Sequence, residues 1–321
     1  MQYLIGTDEA GYGPNLGPLV VTATVWQIPD ASCFDLYDAL RDTVSATRAS
    51  DDGDDRLTVA DSKALYKPRG GLTALEQTNL AMLAASDHRL PDTWREIWPA
   101  FDPASVEWID ELPWYADYDE RLPVDCDPEQ VQSDADRLRA TFENTRIRLL
   151  RVCSHVVFAN HFNKLLDRHT NKSESLSRVT LELVRRALIG LPPANVRVEC
   201  DKHGGRNKYG ALLQDTFPDY LVEVYDEGRE RSLYRFAPEP QRFEFMFSAR
   251  GERAMPTALA SMFSKYLREL AMRAFNAFWQ AQVDQLRPTA GYPVDARRFK
   301  EDISPAQSSL GIQDSQLWRA K

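Results

Sequence analysis

Residues Tyr3 to Trp26 read YLIGTDEAGYGPNLGPLVVTATVW. The apolar run Tyr3 to Thr7 predicts a strand, Gly11 to Gly17 a glycine-rich turn, and Leu19 to Trp26 a second strand. Two adjacent carboxylates, Asp8 and Glu9, fall where the first strand runs out. Neighbouring side chains on a strand point to opposite faces, so both reach one site only if the chain bends beside them. Ala10-Gly11 permits that bend, and Gly11 and Gly13 flank Tyr12 so that the backbone is open to a ligand. Acidic groups beside an approachable backbone suit a divalent metal and a phosphodiester.

Outward from this stretch, the chain has 321 residues, enough for one large domain or two small ones, and 43% of them are hydrophobic, enough for a substantial core. The formal net charge is −9. Affinity for phosphate comes mainly from Lys and Arg, so a nucleic-acid enzyme of this charge needs a local basic groove. No apolar run approaches transmembrane length. Cys33, Cys126, Cys153 and Cys200 are scattered without close pairs, which speaks against a zinc site and a disulfide scaffold. The chain as given opens on a strand with no leader, so a cytoplasmic location is the default expectation.

Further along, Cys33 to Val44 and Gly70 to Ala85 read as helices, with a charged, glycine-broken loop, Arg48 to Arg56, before the triplet Asp61-Ser62-Lys63. Ser62 is placed to cap a helix. From His88 to about Gln130 the pattern is irregular and rich in Pro and Trp. Its tryptophans, Trp94, Trp98, Trp108 and Trp114, are either base-stacking surfaces or, as is commoner, buried under their own loop. Val131 to Arg148 starts helical, Ile147 to Phe158 reads as a strand or buried segment, and Ser173 to Ile189 is an amphipathic helix stopped by Gly190. His155 and His161 read as ordinary partly buried histidines. Val196 to Asp201 alternates as a strand, with Glu199 and Asp201 on one face. Three further strand-like pieces follow, then a helix to about Val283.

The run Asp8-Glu9-Ala10-Gly11-Tyr12-Gly13-Pro14, followed by Gly17-Pro18-Leu19-Val20, resembles the opening motif of the ribonuclease HII family, Asp-Glu-Ala-Gly-Arg-Gly-Pro then Gly-Pro-Val-Val. The departure is Tyr12, where the family has Arg or Lys. Asp61-Ser62-Lys63 resembles the family's next triplet, which places Lys63 near the substrate backbone. Asp201 stands where a family strand ends in a metal-binding aspartate. Asn207-Lys208-Tyr209 through Phe217-Pro218 is similar to the archaeal and eukaryotic branch. Leu259-Ala260-Ser261, Ser264-Lys265 and Arg268-Glu269 match a run on one family helix, with Glu269 in place of Asp. Tyr292 is the candidate for a tyrosine that stacks near the ribonucleotide sugar.

The resemblance implies a ribonuclease H-like α/β fold: a mixed five-stranded sheet flanked by helices, an insertion at about 88–130, a catalytic domain over 1–285 and a docked helical segment over 286–321. It implies a metal-dependent endonuclease, monomeric, that hydrolyses the RNA strand of RNA–DNA hybrids or cuts at ribonucleotides embedded in duplex DNA. Asp8, Glu9, Asp201 and Glu269 would be its catalytic metal ligands, holding two Mg²⁺ or Mn²⁺ ions, because four clustered carboxylates repel one another unless cations neutralise them. Gly11, Tyr12, Gly13, Asp61, Ser62, Lys63, Lys265 and Tyr292 would contact substrate. A structure-selective DNA nuclease on the same fold and a catalytically weak or silent nucleic-acid-binding homologue are the alternatives.

Overall fold

The structure is a computed structural model that describes residues 1–29, 34–48, 53–66, 70–169 and 171–320. Its main sheet has seven strands: β1 (Gln2–Ala10), β2 (Leu19–Ile28), β3 (Arg148–Val157), β4 (Asn195–Asp201), β5 (Glu223–Glu227), β6 (Arg231–Phe236) and β7 (Phe243–Ser248). The spatial order is β3-β2-β1-β4-β7-β6-β5. β1, β2 and β3 are antiparallel neighbours, while β4 runs parallel to both β1 and β7. The expected mixed α/β sheet is therefore present. It has seven strands rather than five because β5 and β6 form an antiparallel hairpin that extends it beyond β7.

Alternation along the first two strands divides the core. Leu4, Val20 and Trp26 enter one hydrophobic cluster; Tyr3, Ile5, Leu19, Val21 and Val25 enter another on the opposite face. Helix Lys172–Leu188 packs its Leu176, Leu183 and Val184 into the second cluster. The first is covered by the 28-residue helix Met255–Gln282, buried over most of its length. Gly6 makes that seating possible: a Cβ there would stand 2.1 Å from Pro256 C and 2.3 Å from Thr257 N. Thr24 Oγ1 then donates to Pro256 O at 2.9 Å and ties the helix start to β2.

The tryptophan-rich stretch folds as short helices, Trp94–Phe101, Val106–Glu111 and Pro113–Ala116. Trp94, Trp98 and Trp114 are buried in the first cluster, Trp94 donating Nε1–H to Leu270 O on the long helix at 3.0 Å, so they are not base-stacking surfaces. The end of this stretch is held by buried Glu76, whose carboxylate accepts from Val124 N and Asp125 N, both at 2.7 Å, and from the Tyr266 hydroxyl at 2.8 Å. Residues 293–309 form a helix whose Ala296, Phe299 and Ile303 join the same cluster.

Two local expectations change. The helix expected over Cys33 to Val44 is a single turn, Leu36–Ala39, capped by Asp35; Val44–Ser45 instead pairs with Leu57–Thr58. Cys33 and residues 49–52 of the acidic loop lie outside the described residues. The cap of helix Ser62–Leu65 is Asp61, not Ser62: its carboxylate accepts from Lys63 N at 3.1 Å. No helix among the described residues is long and apolar enough to cross a membrane.

Because the neighbours of Gly6 are backbone atoms that cannot swing aside, Gly6→Ala is expected to cost about 1–3 kcal/mol or more through overpacking. Urea denaturation checks this; unchanged stability would mean that the helix does not rest on β1 at this point.

Candidate active site

The β1–β4 ladder stops at Thr7↔Cys200, whereas the β1–β2 ladder continues through Asp8↔Thr22 to Ala10↔Val20. Asp8 and Glu9 therefore lie inside the strand, not past its end, yet on the β4 side they have lost their neighbour. The crevice left there is where β4 ends in Asp201. The bend expected at Ala10-Gly11 occurs one residue after the strand, at Gly11 with φ +92°.

Asp8, Glu9 and Asp201 act on one another. Burial is the main influence on Asp8 and pushes its pKa up to about 7; the Asp201 charge adds to the rise, and a hydrogen bond with Ser261 opposes it. Burial, Asp8 and Asp201 raise Glu9 well above the usual carboxylate range. Gly251 N donates to Asp201 Oδ1 at 3.0 Å and fixes that carboxylate at the strand end. Partial burial works against the Lys63 ammonium, but Asp61, Asp8, Glu9 and Asp201 together raise its pKa, so Lys63 faces the acidic well. Ser264 Oγ, on the long helix, lies 3.0 Å from Asp8 O and 2.9 Å from Thr22 Oγ1, which pins the strand beneath the carboxylates.

Glu269 is held elsewhere. It takes hydrogen bonds from the Tyr66 hydroxyl at 2.8 Å and from Lys265, with Arg268 at 3.4 Å. Asp8, Glu9 and Asp201 thus influence one another electrostatically, and Glu269 is neutralised by two cations on its own helix. Glu199, weighed with Asp201, faces back along β4 and pairs with Arg197 at 2.8 Å.

A groove of about 870 Å³ opens beside the well, lined by Lys63, Tyr66, Lys265, Glu269, Arg273 and Tyr292 among others. Tyr292 is 55% exposed on its rim, and its ring faces Gly13. Asp61 sits behind Lys63 as its helix cap, and Ser62 is buried with its Oγ 3.0 Å from Ser261 Oγ. Tyr12 reaches the opposite way: a side chain at Gly204 would meet its hydroxyl at 2.6 Å. Burial and Glu9 raise the Tyr12 pKa, and Arg206 counteracts them. Arg206 bonds through Nε to Ser173 Oγ at 3.3 Å and has no ion-pair partner among the described residues. Sequence reading passed over Arg206, which looks like any charged loop residue, and Ser261, which sits inside a quoted motif and whose spacing to Ser264 on the helix was the available signal.

His155 and His161, read as ordinary, are partnered away from this well, His155 with Asp102 at 3.3 Å and His161 against the Trp108 ring. Among the described residues no three His, Cys, Asp or Glu side chains stand as a ready metal-ligand set. The donor chemistry nevertheless fits a hard divalent cation: carboxylate oxygens only, with Asp8 and Glu9 raised chiefly by burial and further by neighbouring negative charge.

No family model matches the chain, and no curated protein is significantly similar to it. Among solved structures it is similar to ribonuclease HII of Archaeoglobus fulgidus, solved with PCNA, at 13% identity and TM-score 0.42 over 99% of this chain and 94% of that one. It is similar to ribonuclease H2 of Pyrococcus horikoshii at 13% identity and TM-score 0.43, over 98% and 92%. Bst-RNase HIII solved with Mn²⁺ matches at 12% identity and TM-score 0.39, over 99% and 66%. The fold itself is a mixed α/β sheet flanked by helices, with β3-β2-β1-β4-β7 as its central strands.

The raised Asp8 pKa fixes the sign of a pH effect in metal-free protein. The folded state keeps a proton on Asp8 that the unfolded chain releases near its ordinary value of 3.8, so stability falls as pH rises from there through about 7. Asp8→Asn is expected to flatten that decline and raise the melting temperature near neutral pH. Melting curves in a chelator across pH 4 to 8 check it; parallel curves for the two proteins would remove Asp8 from the repelling cluster.

Proposed function

We propose that this chain is a metal-dependent endonuclease of the ribonuclease H type, cutting the RNA strand of RNA–DNA hybrids or DNA at embedded ribonucleotides. The observation that supports it best is that Asp8, Glu9 and Asp201 act on one another electrostatically, Asp8 and Glu9 being buried, beside a glycine loop. In this reading those three carboxylates hold Mg²⁺ or Mn²⁺. Bound there, the cations supply Lewis-acid activation of the attacking water and of the leaving oxygen. The chain's own groups do the rest. Lys63 stands beside the well, and Lys265 lines the adjoining groove, for backbone phosphates. The loop Gly11 to Gly13 lies on the strand to be cut, where a 2′-hydroxyl distinguishes RNA from DNA. Tyr292 offers an exposed ring at the rim for a sugar. Arg206 brings to Tyr12 the positive charge that Tyr12 itself lacks.

A second reading, a catalytically weak nucleic-acid-binding homologue, is favoured by one observation: Glu269 is engaged by Lys265, Arg268 and Tyr66. One assay separates the readings. Matched duplexes that are all-DNA, RNA–DNA hybrid, or DNA with one ribonucleotide are incubated with Mg²⁺ or Mn²⁺. Cleavage of the last two only, abolished by Asp8→Asn, is the expected outcome. Binding without cleavage by the wild type points to the silent homologue, and equal cutting of all-DNA to a DNA nuclease.

The charge at Tyr12 gives a separate expectation. Tyr12→Arg should tighten binding of an uncleavable hybrid at low salt and steepen the salt slope by about one unit, the contribution of one phosphate contact. Arg206→Gln should shallow it by about the same amount. Identical slopes for all three proteins would place both residues off the phosphate path.

A further inference from the structure

The glycine loop is held from beneath by two buried guanidinium groups. Arg268 Nη2 donates to Leu16 O at 3.3 Å and Ala290 O at 3.0 Å. Arg319, at the far end of the chain and fully buried, donates through Nη2 to Gly11 O at 2.6 Å and also to Pro14 O. Its Nε and Nη1 are buried without a partner among the described residues. The backbone beside it is tied to the same loop: Arg319 N donates to Asn15 O at 2.9 Å, and Asn15 Nδ2 donates to Arg319 O at 3.0 Å. From the other side Asn163, on helix Ala159–Arg168, donates to Trp318 O at 2.9 Å and accepts from Ala320 N at 2.7 Å. The guanidinium lies 4.9 Å from the Phe162 ring centre.

A buried cation without a counter-ion is unfavourable unless fixed dipoles compensate it. Here the compensating dipoles are the Gly11 and Pro14 carbonyls. The dependence runs both ways, since those carbonyls point inward only while a cation is there to receive them. A trans peptide sets its N–H opposite its C=O, so turning Gly11 O inward turns Tyr12 N–H outward. Among the described residues Tyr12 N–H donates to nothing.

We propose that residues 314–320 are a strut of the active site and that Arg319 is its positioning residue, setting the Gly11 peptide so that Tyr12 N–H is presented to an oxygen of the bound strand's sugar-phosphate backbone. The presentation to a nucleic-acid strand rests on the nuclease reading; the strut itself does not. Arg319 touches no reacting atom, and its influence passes through the loop.

The test uses the full chain and its Arg319→Met and Arg319→Lys variants. Hydrogen exchange of peptides covering residues 10–17 is measured without nucleic acid, then kcat and KM on a ribonucleotide-containing duplex. Arg319→Met is expected to speed exchange of the loop at least tenfold and leave β4 protected. It should lower kcat by roughly 100-fold, the scale of a small misplacement of reacting groups, with KM changed less. Arg319→Lys, which can still donate to one carbonyl, should recover part of both. Should Arg319→Met fail to fold, Asn163→Ala loosens the strut without emptying the buried site, and the same loop exchange is read. Unchanged exchange in a folded variant overturns the strut. A loosened loop with unchanged kcat and KM overturns the positioning role. If the wild type cuts no duplex, the nuclease reading falls, and loop exchange still decides the strut.

Discussion

The parallel pairing of β1 with β4 is the contact on which the site depends. Its register, from Gln2↔Asn195 to Thr7↔Cys200, brings two carboxylates near the start of the chain to a third some 190 residues later. Where that ladder ends, two backbones stop sharing hydrogen bonds and a crevice opens, as is usual at the carboxyl ends of parallel strands. Gly6 lies one residue before the end of this register, so the long helix can rest on β1 and bring Ser261 and Ser264 to Asp8. Sheet register, helix seating and the acidic well are thus one arrangement, fixed by a position that tolerates no side chain.

The well works against stability. Burial and the neighbouring Asp201 charge both disfavour the ionised forms of Asp8 and Glu9, and Lys63 neutralises only one charge. Strain of this kind persists where the surrounding structure over-determines it, and it marks functional sites more often than structural ones. The surroundings here are well determined: Gly251 holds Asp201, Ser264 holds the Asp8 backbone, and Arg268 with Arg319 holds the loop. By contrast Glu269, with Lys265, Arg268 and Tyr66 around it, is a satisfied charge. The chain's net charge of −9 is not shared by the groove, where Lys63, Lys265, Arg273 and Arg287 outnumber Asp125, Glu269 and Asp295. Local sign, not overall charge, governs what a groove attracts.

What the sequence settled by itself was local. Apolar, β-branched runs broken by a glycine turn in Tyr3 to Trp26, and period-two alternation in Val196 to Asp201, dictate strands. Leucines at helical spacing dictate Thr73–Ala85 and Lys172–Leu188, and the order of motifs carries the resemblance that puts Asp8, Glu9 and Asp201 in one candidate site. The tertiary structure alone decided which charges meet. Glu269 lies five residues beyond Ser264, whose hydroxyl donates to Asp8 O, and its carboxylate is taken up by Lys265, Arg268 and Tyr66. Arg206 and Arg319 carry no local signature, since a charged residue in a loop or near a chain end is ordinarily solvated. Only packing shows that one of them lies against Tyr12 and the other is buried under the glycine loop. Hydrophobic pattern is written in short stretches of chain, whereas electrostatic partnership depends on distances that only the folded chain sets.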